Sequence, residues 1–462
     1  MFKSQRVFNK KIQIFIYIVY FTFAFFGLRE ISNKTAYQPN EYDYVARGAY
    51  LDLFSQYNNK NYLWELYDSY VQEKLPSYIY QISLKVQNVR PILEIDNLSI
   101  APSWWYGTGS CRPPNYSDIN CQTITSGNWT WSIDGVTPKK VSQEINAGLL
   151  PSQAPTDLVS INAARNVSLI FSLGSLILIC LIVNYFWGFI SSLIASSILI
   201  FSPLFETSTL RALGDTFLLF FLLLSFFLTV IWYNRTKNLR ISKAVMLSIP
   251  IGVSFGLAMA SKLNGFVSLI FFFILSVILF YKIPKIRLNL FLSFITVSAV
   301  MLSVFVILNP FVWKNPIEGT AFMVQHRWNE TLYYQVQPGF KPILTFGERL
   351  YFLLARTILP GGDYVIRNHG TPLGLILFLF GGWGLYSDLK SKKNKLKIFA
   401  KLILIYGLMM WIVMGIYLKL DWDRYYLPFV PFVVIVSSRG IVKIVEFFRW
   451  FKNKYLQRVF LE

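Results

Sequence analysis

Residues 10–50 read KKIQIFIYIVYFTFAFFGLREISNKTAYQPNEYDYVARGAY. From Ile12 to Leu28 no side chain is charged, while Lys3, Arg6, Lys10 and Lys11 stand before the run. That outline is shared with secretory leaders, but no small-residue cleavage site follows, which predicts a retained anchor helix. Beyond it, Asn40–Tyr80 gathers Glu41, Asp43, Arg47, Glu65, Asp68, Glu73 and Lys74 among tyrosine and tryptophan. Nowhere else do so many ionisable groups collect with so many aromatics.

The rest of the chain repeats the first half of that pattern. Of 462 residues, 54% are hydrophobic and 15% charged, too apolar a composition for a soluble protein. Apolar segments fall at about 163–184, 188–204, 215–233, 243–260, 264–281, 288–308, 371–386, 398–416 and 425–446. Each approaches the ~20 residues that cross a hydrocarbon core of roughly 30 Å. With the anchor they make roughly ten spans of an all-α polytopic membrane protein. The runs are continuous rather than alternating, which excludes a transmembrane β-barrel.

Charge sets the orientation. The links richest in Lys and Arg are 235–243, 282–287 and 390–401, together with both termini. Counting spans puts all of them on one side, cytoplasmic by the positive-inside rule. The same rule explains the net charge of +20 without a nucleic-acid partner. The expected organisation is an anchor at 1–28, a large extracytoplasmic loop at 29–160, and a helical block at 161–308. A second extracytoplasmic loop at 309–370 and a final block with a basic tail at 371–462 follow. The site side faces out of the cytoplasm, with the plasma membrane as the expected location.

The outward segments hold the unusual residues. Arg211 and Asp215 are four apart at a helix start, and can pair within the helix or face a common site. Lys262 sits in a turn between two spans, where it can snorkel to the interface or line a pocket. The sequence KLDWDRYYLP places Asp421, Asp423 and Arg424 beside Tyr425 and Tyr426. Arg327 and Arg356 can bind phosphate or satisfy carboxylates. His326 and His369 are the two histidines, and no HxH or HxxxH spacing supports a metal site. A divalent metal bound with carboxylates therefore stays a minor alternative. Cys111 and Cys121 can pair in an oxidising exterior or remain free thiols, and Cys180 reads as packing.

Carboxylates, cations and aromatics at one membrane surface suit a lipid-phosphate sugar donor. Lys and Arg hold its phosphate at headgroup level and stabilise the charge that grows on it as the glycosidic bond breaks. A carboxylate takes the proton of the attacking hydroxyl. A transporter would instead place charges near the bilayer midplane.

At this point the chain resembles the GT-C superfamily of membrane glycosyltransferases, in particular the protein O-mannosyltransferases and the lipid A aminoarabinose transferases. Asn40-Glu41-Tyr42-Asp43-Tyr44 is similar to the family's Asp-Glu-x-x-Tyr stretch after the first span. Glu73-Lys74-Leu75-Pro76 with Tyr78 resembles its Glu-Lys-Pro-Pro-like element. Arg211 to Asp215, Gly256-Leu257-Ala258 through Lys262, Asn309-Pro310 and Arg424-Tyr425-Tyr426-Leu427-Pro428 follow in the family's order. The resemblance implies a GT-C-like bundle that moves a sugar, with mannose the first candidate, from a polyprenyl-phosphate carrier to a protein or lipid acceptor, with inversion. A flippase for lipid-linked sugars and a silent lipid-binding homologue are the alternatives.

It also implies roles. Glu41, Asp43 and Asp215 are the catalytic candidates, and Lys74, Arg211, Lys262 and Arg424 the donor-phosphate ligands. Glu73, Tyr44 and Tyr425 support them. Where the family carries its basic aspartate this chain has Asn40, whose amide cannot accept the proton. Either Glu41 or Asp43 has taken over the role, or activity is lost. Asp43 is the preferred replacement, since three residues on it can share Asn40's helical face. The Gly- and Trp-rich insert at about 95–160 is longer than the resemblance leads one to expect.

Overall fold

A computed structural model describes residues 10–35, 41, 44, 45, 51, 54, 74–89, 158–236, 240–336, 342–358 and 373–451. Among these residues there is no strand beyond one bridge between Pro342 and Leu420. In chain order the helices are α1 (Lys10–Lys34), α2 (Leu75–Val86), α3 (Leu158–Trp187), α4 (Phe189–Ile200), α5 (Pro203–Thr209), α6 (Gly214–Arg235), α7 (Ile241–Ser261), α8 (Val267–Lys282) and α9 (Arg287–Leu308). They continue with α10 (Pro316–Val336), α11 (Phe346–Thr357), α12 (Leu373–Leu389), α13 (Asn394–Tyr417), α14 (Asp423–Tyr426) and α15 (Val430–Phe451).

Among the described residues eight helices, counting the short turns continuous with α8, α9 and α15, are long and apolar enough to cross a membrane. The chain is an integral membrane protein. The two expected segments that fall short do so for visible reasons. Gly188, at φ 89°, reverses the backbone between α3 and α4, a conformation that suits glycine. Pro203 then starts α5, bent 64° from α4, so 188–204 becomes a broken span, a ninth if counted whole. The segment expected at 371–386 appears as α12, apolar but 17 residues long. The region expected as a loop at 309–370 contains two helices, α10 and α11. Thr345 and Glu348 form a reciprocal capping box at the start of α11. Of the large loop expected at 29–160, the end of α1, helix α2 and a few single residues are described, while its insert, Cys111, Cys121 and His369 lie outside the described residues.

Helices in lipid associate through close packing rather than water exclusion, so small residues mark their contacts. Gly252 and Gly256 form such a pair on α7. A Cβ on Gly252 would meet Val300 Cβ at 2.7 Å, and one on Gly256 would meet Val304 Cβ at 2.6 Å. Both helices run in the same direction, so this register carries on to place the end of α7 level with the end of α9.

At the opposite end α12 and α15 pack together. There Arg439 grips Asp388 through Nε (3.0 Å) and Nη2 (2.6 Å), and the Trp187 indole donates to the same carboxylate at 3.0 Å. Three helices are thereby tied at the end that bears the lysine-rich links. Cys180 is buried, its thiol donating to Ser192 O between α3 and α4, in keeping with packing.

Candidate functional site

The site forms where α6 begins and α7 ends. Gly214 opens α6, and Asp215 follows in its first turn, favoured there by the helix dipole. A Cβ on Gly214 would meet Tyr44 Oη at 2.8 Å and Ser261 O at 3.0 Å, so this glycine lets Tyr44 and the end of α7 close on α6. The α7 helix stops at Ser261, and Lys262 turns to extended backbone at φ −167°. Its ammonium then reaches Asp215 Oδ1 at 2.5 Å and lies 5.3 Å from the centre of the Tyr425 ring. Asp215 is 1% exposed, and its other oxygen, Oδ2, has no hydrogen-bond partner among the described residues.

A second cluster lies beside the first. Glu41 is fully buried and takes both Arg165 Nε (2.8 Å) and Nη2 (2.7 Å). It also accepts the Ala212 amide at 2.8 Å. Arg165 Nη1 donates to Ser32 O and Thr35 O, both at 3.0 Å, at the end of α1. One arginine therefore joins α1, Glu41, α3 and, through Glu41, the turn before α6. Arg211 in that turn is half-buried, and burial draws its pKa down, with Arg165 adding to the effect and Glu41 and Asp423 opposing it.

The short α14 helix adjoins both clusters. Asp423 is an electrostatic neighbour of Arg211, while Arg424 has Asp215, Tyr44 and Arg327 around it. The Arg424 guanidinium lies 4.9 Å from the Trp422 ring centre and 5.9 Å from that of Tyr425, within cation–π range. Asp421, just before α14, is bound by both Nε and Nη2 of Arg356 and accepts the Tyr426 hydroxyl at 2.7 Å. Burial opposes the Arg356 charge, but Asp421 outweighs it and holds the pKa above its usual value.

Helix α2 completes the surroundings. Lys74 stands at its first end, 1% exposed, and Pro76 occupies the first turn, where its missing N–H costs nothing. Tyr80 is fully buried and donates to Leu213 O at 3.0 Å, with Ser168 Oγ at 2.9 Å. Burial, then Tyr44, Glu41 and Asp215, push its hydroxyl well above the ordinary tyrosine range.

Of the residues singled out from sequence, Asp215, Lys262, Arg424, Tyr425 and Tyr44 come together in one group. Glu41 and Arg211 share the adjacent group with Asp423. Asp43 and Glu73 lie outside the described residues. Of the two readings open for Arg211 and Asp215, pairing within the helix is not what the structure shows: Arg211 sits in the turn before α6 rather than on it, and Asp215 pairs with Lys262. His326 is buried near Phe322, with ring centres 6.0 Å apart. Among the described residues no three His, Cys, Asp or Glu side chains converge as a metal site would need. The residue missed was Arg165. Its signal was present, since a charge just inside an apolar segment is rarely without a partner.

Residues 146–324 match the protein family described as dolichyl-phosphate-mannose-protein mannosyltransferase. The matched stretch includes Arg165, Arg211, Asp215, Lys262 and Asn309, but not Glu41, Lys74 or Arg424. No curated protein sequence matches the chain. Among solved structures, the fold is similar to that of ArnT from Cupriavidus metallidurans bound to undecaprenyl phosphate, with a TM-score of 0.53 at 10% identity. That likeness covers 94% of this chain and 60% of ArnT. The archaeal oligosaccharyltransferase AglB from Archaeoglobus fulgidus, in complex with an inhibitory peptide and a dolichol-phosphate, aligns at a TM-score of 0.42 and 14% identity over 70% of this chain and 44% of its own. The chain thus spans less than two thirds of either protein. The likeness to ArnT is one of fold.

Proposed function

We propose that this protein is an inverting glycosyltransferase that takes its sugar from a polyprenyl-phosphate carrier and delivers it to a hydroxyl of a protein or lipid outside the cytoplasm. The observation that carries this reading is the Asp215–Lys262 pair, a buried carboxylate holding an ammonium beside Arg424, Tyr425 and Tyr44. The family match and the ArnT-like fold support the reaction class. The cation-rich links at the other end of the bundle support the orientation, with the site facing away from the cytoplasm of the plasma membrane.

In this reading Lys262 and Arg424 receive the donor phosphate, with Lys74 and Arg211 as further cations near it. Asp215 fixes the Lys262 ammonium in place. The acceptor oxygen attacks the anomeric carbon as the bond from that carbon to the phosphate oxygen breaks, and the phosphate departs with the electron pair. Lys262 and Arg424 are worth most at that moment, because charge on the leaving group is greatest. Asp43 takes the acceptor proton. Glu41 is unsuited to that task, since both its oxygens are bound by Arg165 and one also by the Ala212 amide. Tyr44, the residue after Asp43, lies against Gly214 at the start of the site helix. Mannose is the first sugar to test.

The experiment follows both sugar transfer and donor binding in purified protein supplied with radiolabelled polyprenyl-phosphate mannose and a membrane extract as acceptor source. Asp43→Asn is expected to abolish transfer and keep donor binding, while Lys262→Met loses both. Donor binding without transfer in the wild type, across a panel of donor sugars and acceptors, would favour the silent or flippase alternatives.

A further inference from the structure

Helix α2 carries more polar atoms into the interior than its contacts use. Ser77, Tyr78 and Gln81 are 1%, 3% and 1% exposed. Yet Ser77 Oγ, Tyr78 Oη and Gln81 Nε2 have no hydrogen-bond partner among the described residues. Buried polar atoms are nearly always paired, because leaving one unpaired forfeits its hydration with nothing in return. Three of them within five residues of one short helix call for an explanation.

Helical periodicity shows where they face. Tyr80, Ser83 and Gln87 turn toward α3, where they bond Ser168 and Ala163. Ser77 and Gln81, one turn apart, share a neighbouring face. Tyr78 packs on the Phe54 ring at 5.3 Å, and Phe54 lies 6.0 Å from Trp313, beyond the end of α9. The unpaired face thus lies between the α3 side and the α9 side. α7 touches α2 as well, and the α7–α9 register sets Lys262 level with Asn309. Asn309 is 1% exposed, and its side-chain amide donates to Phe305 O while Oδ1 has no partner among the described residues. Asp215 Oδ2 is likewise unpaired.

The chemistry of these atoms is mixed and mostly neutral. Two hydroxyls both donate and accept, an amide nitrogen donates, and an amide oxygen and a carboxylate oxygen accept. A phosphate would be served by the cations instead. The complement of such a set is a ring of hydroxyl groups. We propose that Ser77, Tyr78 and Gln81, with Asn309 and Asp215 Oδ2, form the wall that reads the hydroxyls of the donor's sugar, so that α2 sets which sugar is transferred. The proposal rests on the donor reading above and adds to it the residues that select the sugar.

The test compares binding of sugar-free polyprenyl phosphate with a panel of polyprenyl-phosphate hexoses, using the full chain in nanodiscs. Wild type is expected to bind one hexose form at least tenfold more tightly than the sugar-free lipid. Tyr78→Phe and Gln81→Met should each shrink that preference by about tenfold, with affinity for the sugar-free lipid unchanged. Ser77→Ala should act in the same direction. Their melting temperatures should hold or rise, because removing an unpaired buried polar atom relieves a cost. A preference that survives in all three variants overturns the proposal, and so does a wild type that favours no hexose. Lower melting temperatures with an unchanged preference would make these atoms structural and overturn it too. A wild type that binds neither lipid defeats the donor reading itself, and the sugar wall with it.

Discussion

Among the described residues four ion pairs are largely buried, and they differ in one respect. Glu41–Arg165, Asp421–Arg356 and Asp388–Arg439 are each gripped by two guanidinium nitrogens, and each carboxylate takes a further donor from Ala212, Tyr426 or Trp187. In Asp215–Lys262 the ammonium takes one carboxylate oxygen, and the other, Oδ2, is left without a partner among the described residues. A saturated pair has its lone pairs and protons spent, so it can fix helices but offers little to a ligand. An unsaturated pair keeps valences that a substrate can use, at some cost in stability. In the proposed reading the contrast separates scaffold from site within a few residues of sequence, since Ala212 serves the first kind and Asp215 the second.

The largest expected effect comes from breaking a saturated pair. Arg165→Met leaves Glu41 charged and buried without its guanidinium, and should destabilise the protein by about 3–5 kcal/mol. Thermal unfolding in detergent measures it. The double variant Glu41→Gln with Arg165→Met should recover part of the loss, because no stranded charge remains. Lys262→Met should lower transfer by about 10²- to 10³-fold and, because it leaves the buried Asp215 carboxylate without its ammonium, should also lower the unfolding midpoint.

Two smaller changes sharpen the boundary between the clusters. Gly214→Ala pushes a methyl group against Tyr44 Oη and Ser261 O, and should cost about 1–3 kcal/mol with a loss of transfer rate. Its unfolding curve and initial rate, measured together, show whether the approach of Tyr44 matters to chemistry. Ser168→Ala removes one of two partners of the Tyr80 hydroxyl and should cost about 1 kcal/mol, with Leu213 O still accepting. Smallest of all is acid sensitivity at α11. The backbone amides of Thr345 and Leu344 hold the Glu348 carboxyl below its usual pKa. Its contribution is therefore present above the unfolded carboxylate pKa and is lost as pH falls through the lower folded value. Amide hydrogen exchange at the start of α11 should quicken over that acid range and stay slow at neutral pH.

The spans were legible because a run of about twenty uncharged apolar residues has few other uses. The broken span α4–α5 was not, since Gly188 and Pro203 punctuate a segment whose average hydropathy is unaffected. Lys262 and Arg424 could be picked out because each is a charge at the very edge of an apolar run. Their partnership with Asp215 was hidden, as it depends on how α6, α7 and α14 meet, and chain spacing suggested Arg211 instead. Arg165 escaped notice because it was counted inside a span. Its carboxylate stands over a hundred residues away, beyond the reach of any local pattern.

The most direct test of the division between scaffold and site compares Asp215→Asn with Asp388→Asn for both transfer rate and unfolding midpoint. Asp215→Asn should lose transfer by at least a hundredfold and unfold close to wild type, whereas Asp388→Asn should unfold markedly earlier and transfer normally while folded. Equal loss of stability in the two, with transfer by folded Asp215→Asn protein at the wild-type rate, would contradict it.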